Sequence, residues 1–97
     1  AVAPEGDRPA LLFQAARLAV AAGDSAAARS HFARIEGAHF DSPEAPEAML
    51  RHARILAVDP ARADEARSLL ERLILERPRA AVVPDARREL ERLGRDR

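Results

Sequence analysis

Ninety-seven residues allow one small domain, near the size at which a single apolar core is adequate but not generous, and sixteen basic residues balance sixteen acidic ones to a formal charge of zero. Acids and bases interleaved at this density exclude a broad electrostatic surface for nucleic acid or anionic lipid. The lack of cysteine excludes a disulfide, a thiolate metal site and a thiol nucleophile, and no apolar run approaches the roughly 20 residues that span a bilayer.

Residues 1 to 8, with Pro4 and Gly6, read as a flexible N-terminal arm. The opening Ala1-Val2-Ala3-Pro4, without methionine, reads as a processed mature end or a cut boundary. From Pro9 to Ala22, apolar positions Leu11, Leu12, Ala15, Ala16, Leu18 and Ala19 recur at helical spacing, and Gly23 stops the helix. Asp24 or Ser25 caps a second helix with the stripe Ala28, Phe32, Ile35, which runs to Gly37. After a loop from Ala38 to Asp41, Ser42-Pro43 reads as an N-cap and first-turn proline, opening a third helix that reaches Val58. Asp59-Pro60 repeats that signal for a fourth helix, which carries Ala66, Leu69, Leu70, Leu73 and Ile74 and must end before Pro78. A fifth, about 81 to 94, sets Val82, Ala86, Leu90 and Leu93 on one face and ends at Gly94. Short connections make these five helices antiparallel neighbours in an all-α chain.

A shift of 38 residues lays the chain over itself. Leu12, Ala15, Leu18, Ala19, Val20, Ala28, Arg29, Ser30 and Arg34 fall on Leu50, Ala53, Leu56, Ala57, Val58, Ala66, Arg67, Ser68 and Arg72. Phe32 meets Leu70, Ile35 meets Leu73, and Pro46-Glu47-Ala48 meets Pro84-Asp85-Ala86. A period in this range marks stacked helical repeats.

Each copy resembles a tetratricopeptide repeat, which sets a large residue and a small pair on its first helix and an Ala-x3-aromatic step on its second, followed by proline. Here these are Leu12, Ala15, Ala16, Ala19, Ala28 and Phe32, then Leu50, Ala53, Arg54, Ala57, Ala66 and Leu70 with Pro78. The departures are a period four longer than the usual 34, Arg54 at a small-residue position, and Phe40 where the first proline belongs. Longer repeats joined by segments such as 40–48 resemble those of bacterial outer-membrane assembly lipoproteins and the Tol-Pal coordinator family. The resemblance implies a right-handed α-α superhelix of two full repeats, about 10–47 and 48–85, plus a terminal capping helix, the whole repeat domain covering 9–94. It also implies a periplasmic or cell-envelope scaffold without catalytic residues, the alternative location being the cytoplasm. The arginine-only basic composition, read as the codon bias of a GC-rich bacterial genome, agrees with a bacterial source.

In such a superhelix the first helix of each pair lines a concave wall. The family geometry puts Ala10, Phe13, Arg17, Val20 and Ala21, then Ala48, Arg51, Ile55 and Val58, on that wall. Phe13, Arg17, Val20, Arg51, Ile55 and Val58 are thus the candidate partner-binding residues, suited to a peptide segment bearing carboxylates. The alternative is that Phe13 and Ile55 pack against neighbouring helices and the arginines are solvated. The chaperone-tail subtype of the family uses lysine and asparagine, and this chain has neither.

Catalytic and metal chemistry find little purchase. His31, His39 and His52 form no i, i+4 pair; His39 near Asp41 and Glu44 reads as a solvated loop residue rather than a metal ligand. The glutamates lack an apolar pocket that would raise a pKa, the serines lack a base, and no glycine-rich phosphate loop occurs. The arginines of 77–79 and 87–97 are offset by acids, without aromatics to stack bases. No enzyme activity, cofactor, metal or nucleic acid is expected. Two readings follow: a scaffold that binds proteins through the concave wall, or a small structural subunit that stabilises a larger, membrane-attached assembly through its end helix or convex face.

Overall fold

A computed structural model describes residues 7–95. Five helices follow one another: α1 (Pro9–Ala21), α2 (Ser25–Ala38), α3 (Ala45–Ala57), α4 (Ala63–Glu76) and α5 (Val83–Arg95), with a 3-10 turn, Pro60–Arg62, ahead of α4. No strand occurs among the described residues, and no helix there is long and apolar enough to cross a membrane. The chain is all-α.

The joint between α1 and α2 uses two residues for two tasks. Gly23 adopts φ 78°, open to glycine without a Cβ penalty. This lets the Gly23 N–H donate to the Val20 carbonyl at 3.0 Å and the Asp24 N–H to the Ala19 carbonyl at 2.8 Å, the bond pair that closes a helix end on a left-handed residue. Asp24 then caps α2, its carboxylate accepting from the Ala27 N–H at 3.0 Å. Gly37 and Gly94, expected as stops, lie inside α2 and α5, because only a left-handed glycine ends a helix this way and neither has a positive φ.

Ser42 is not the cap of α3. A helix opened by Pro43 would place Pro46 where the first intrahelical N–H is needed, and proline has none. Residues 41–44 form turns instead, α3 starts at Ala45, and Pro46 occupies the first helical turn. Asp59 does act at a start, accepting from the Ala61 N–H at 3.0 Å, but it caps the 3-10 turn that leads into α4. The fourth helix stops ahead of Pro78 as expected, whereas α5 starts at Val83 rather than Ala81.

Packing follows the 38-residue register. One apolar cluster joins Leu12 and Ala16 of α1, Ala28, Phe32 and Ile35 of α2, and Ala45 and Ala48 of α3. A second joins Met49, Leu50, Ala53 and Leu56 of α3, Ala66, Leu70 and Leu73 of α4, and Ala86 and Leu93 of α5. The pairs Leu12/Leu50, Ala28/Ala66, Phe32/Leu70, Ile35/Leu73 and Ala48/Ala86 are buried in both copies. Helix α3 therefore belongs to both cores: Ala45, Ala48 and Ile55 face α1 and α2, while Met49, Ala53 and Leu56 join the cluster of α4 and α5. Leu18 and Leu56 share the register yet differ, 66% against 4% exposed, because among the described residues α3 has helices on both sides and α1 on one side only.

Each helix packs on the next in sequence, and α3 also touches α5. The Cα atoms span 44 × 31 × 17 Å. The shortest dimension is two helices deep, given an interaxial distance of roughly 8–10 Å. Helix α5 turns Val83, Ala86 and Leu93 inward and leaves Arg87, Arg88, Glu91 and Arg92 exposed, so its outer side is polar.

Candidate protein-binding wall

The six candidate residues come from α1, α3 and the turn after α3. Phe13 is half-buried, its ring edge-on to Phe32 of α2 with centroids 5.9 Å apart, and the Arg51 guanidinium lies 5.4 Å from its centroid. Packing and wall are both served by this residue: its contact with Phe32 joins α1 to α2, and its ring also supports Arg51. Val20, Arg51 and Ile55, with Arg54 and the edge of Phe32, line an open cleft of about 200 Å³. Ile55 and Val58 continue into a neighbouring cleft of about 380 Å³, shared with Ser25, Arg29, Asp59 and Arg62. Five of the six candidates thus form a continuous strip along α1 and α3, on which Val20 is 51% and Val58 83% exposed.

Arg17 is exposed but lines neither cleft, and Ala48, placed on the wall by the family geometry, is fully buried against α1 and α2. Its methyl group faces the first core because α3 is wedged between two cores. The second arginine of the wall is Arg54. Its Nε donates to Glu89 of α5 at 3.1 Å, which accounts for a long residue at a small-residue position of the repeat. Arg51 donates to Glu47 at 3.0 Å on its own helix. Both arginines are more than 40% exposed, and such pairs are worth well under about 1 kcal/mol. A partner carboxylate could replace Glu47 at little cost.

Burial pushes the Glu89 carboxyl up, and its hydrogen bonds to Arg92 and Arg54 more than offset this, leaving it below the ordinary carboxylate value. The bonds to Arg34 hold Asp7 below its ordinary value, against a smaller opposing effect of burial. Asp7 belongs to the expected arm, whose residues 1–6 lie outside the described residues. Its carboxylate accepts from Arg34 Nε at 2.6 Å and Nη2 at 2.9 Å, with His39 Nε2 at 3.6 Å. His39 is therefore turned inward rather than solvated, and among the described residues no group of His, Asp and Glu is arranged to hold a metal.

One polar feature was not anticipated. Glu36 of α2 and His52 of α3 meet at 2.7 Å with side chains only 10% and 13% exposed. The 38-residue register contains the signal: their counterparts are Ile74 and Leu90, both partly buried against the second core. A polar pair thus takes the place of an apolar contact between successive helices.

Comparison with protein-family models, with curated proteins and with solved structures gives no match for this chain.

Proposed function

We propose that this chain is a non-catalytic scaffold that holds other proteins along the α1–α3 strip, built as a right-handed superhelix of tetratricopeptide-like hairpins. The observation that carries this reading is the contrast along one register. Positions that pack the helix pairs are buried in both copies, whereas the equivalent pair Val20 and Val58 stands in water beside the two clefts. Exposed aliphatic groups rimmed by weakly held arginines suit an extended or helical peptide with acidic residues. The long-repeat resemblance supports a location in the bacterial periplasm or cell envelope, the alternative being the cytoplasm.

A second reading, a small structural subunit of a larger assembly, is favoured by the opposite end of the molecule. Ile74, Leu75, Pro78 and Leu90 line an apolar groove of about 470 Å³ between α4 and α5, and Leu75 is 81% exposed.

The two readings separate by mutation. With the chain immobilised and presented with extract of its source organism, Val20→Asp with Arg51→Glu should remove most of the specifically retained protein. Leu75→Glu should not. Retention unaffected by the first pair and lost with the second change would replace the scaffold with the structural subunit.

A further inference from the structure

The cleft of about 380 Å³ between the start of α2 and the end of α3 contains an arginine whose partner is missing. Arg29 is half-buried, and its Nε is removed from water without an acceptor. Outside this cleft the half-buried arginines are provided for: Arg67 donates to Asp64 at 2.7 Å, and Arg77 donates to the Phe40 and Ser42 carbonyls at 2.8 and 3.3 Å. The duplication explains the exception. Arg29 and Arg67 are equivalent residues, but the position of Asp64 is occupied by Ala26 in the first copy. The arginine has been kept and its carboxylate has not.

The surroundings describe what would fill the gap. Arg29 and Arg62 contribute two positive charges and Asp59 one negative charge, an excess of one. The Arg62 contacts to Asp59 and Glu65, 3.7 and 4.0 Å, are too long to commit its N–H groups, whereas the Asp59 carboxylate is engaged by the Ala61 N–H. Ile55 and Val58 supply an aliphatic wall and Ser25 lines the rim. A single excess charge beside an aliphatic wall matches a monoanionic carboxylate next to an apolar side chain. A phosphate, with more charge and no apolar part, fits less well, and the volume lies at the small end of ligand sites. In the second copy the same arginine already holds an aspartate.

We propose that the Arg29 cleft binds an Asp or Glu side chain of a partner protein, adjacent to an aliphatic residue that rests on Ile55 and Val58. This rests on the protein-binding reading above and assigns it a specific contact.

The arginine Nε–Hε signals of the ¹⁵N-labelled full chain test it, with Arg29→Gln identifying the signal of Arg29. The probe is the blocked tripeptide acetyl-Leu-Asp-Leu-amide, with its Asn counterpart and inorganic phosphate as controls. The acidic tripeptide should shift the Arg29 signal saturably, and the Asn peptide should leave it unchanged. Arg29→Gln should weaken binding, followed on the Ile55 and Val58 amides, by roughly ten- to a hundredfold, as loss of a charge-assisted hydrogen bond does. Ala26→Asp restores the carboxylate that the second copy has and should weaken binding at least as much, with helical content and melting temperature retained. An unmoved Arg29 signal, an equal response to phosphate, or Ala26→Asp binding as well as the parent would overturn the site. Partner capture that survives Ala26→Asp but is lost with Val20→Asp and Arg51→Glu would sink this contact alone and leave the scaffold reading standing.

Discussion

Glu36 and His52 show how much one residue pair can differ between copies of a repeat. Two polar side chains buried together are stable only while both are present, because removing one leaves the other desolvated and unpaired. Glu36→Ala or His52→Ala should each destabilise the fold by about 2–3 kcal/mol. The double exchange Glu36→Ile with His52→Leu installs the pair that the second copy uses, and it should restore or exceed the parental stability. Urea denaturation of the four proteins checks this; additive losses in the double exchange would show that the site demands polarity. The pair was legible only by comparing the copies, since Glu36 on a solvated helix face and a lone His52 are unremarkable in isolation. Arg29 and Ala26 are legible in the same way: identity at Arg29/Arg67 draws the eye, yet the informative position is the neighbour that differs.

At the scale of helices, local chemistry set most of the boundaries. Pro9, Gly23, Asp24 and Pro78 act where their backbone preferences require, whereas Ser42-Pro43 yields to Pro46, and Gly37 and Gly94 remain helical. Stop and start signals compete, and the outcome depends on which hydrogen bonds a second proline forbids or a left-handed turn permits. The join between α3 and α5 runs through Arg54, Glu89 and Arg92. The Glu89 carboxyl titrates lower in the folded chain than its ordinary value of 4.5, so its stabilising contribution is complete above that pH and is lost as the pH falls through the folded value. Glu89→Gln should lower stability at neutral pH by about 1 kcal/mol, given the exposure of both arginines, and flatten the acid limb of the stability profile. Melting temperatures measured from pH 7 to pH 3 decide it; parallel profiles for parent and variant would assign the acid limb to other carboxylates.

Across the whole molecule, α3 is the shared element. Its opposite faces complete two equivalent cores, so the buried repeat positions Leu12/Leu50, Phe32/Leu70 and Ile35/Leu73 were visible as self-similarity in the sequence. The wall was partly visible. Val20, Arg51, Ile55 and Val58 line the two clefts and Phe13 supports them, but Arg17 stands apart and Ala48 is enclosed, because a family pattern fixes which helix lines a wall better than it fixes the rotation of that helix between two cores. Arg54 was read only as a departure from the repeat pattern and not as a wall residue, because its partner Glu89 lies 35 residues away on α5. Backbone amide hydrogen exchange of the chain with and without its captured partner protein tests the central claim most directly. The account predicts added protection along the C-terminal half of α1, the start of α2 and α3 through Val58, with α5 unchanged; protection confined to α4 and α5, around Leu75 and Leu90, would contradict it.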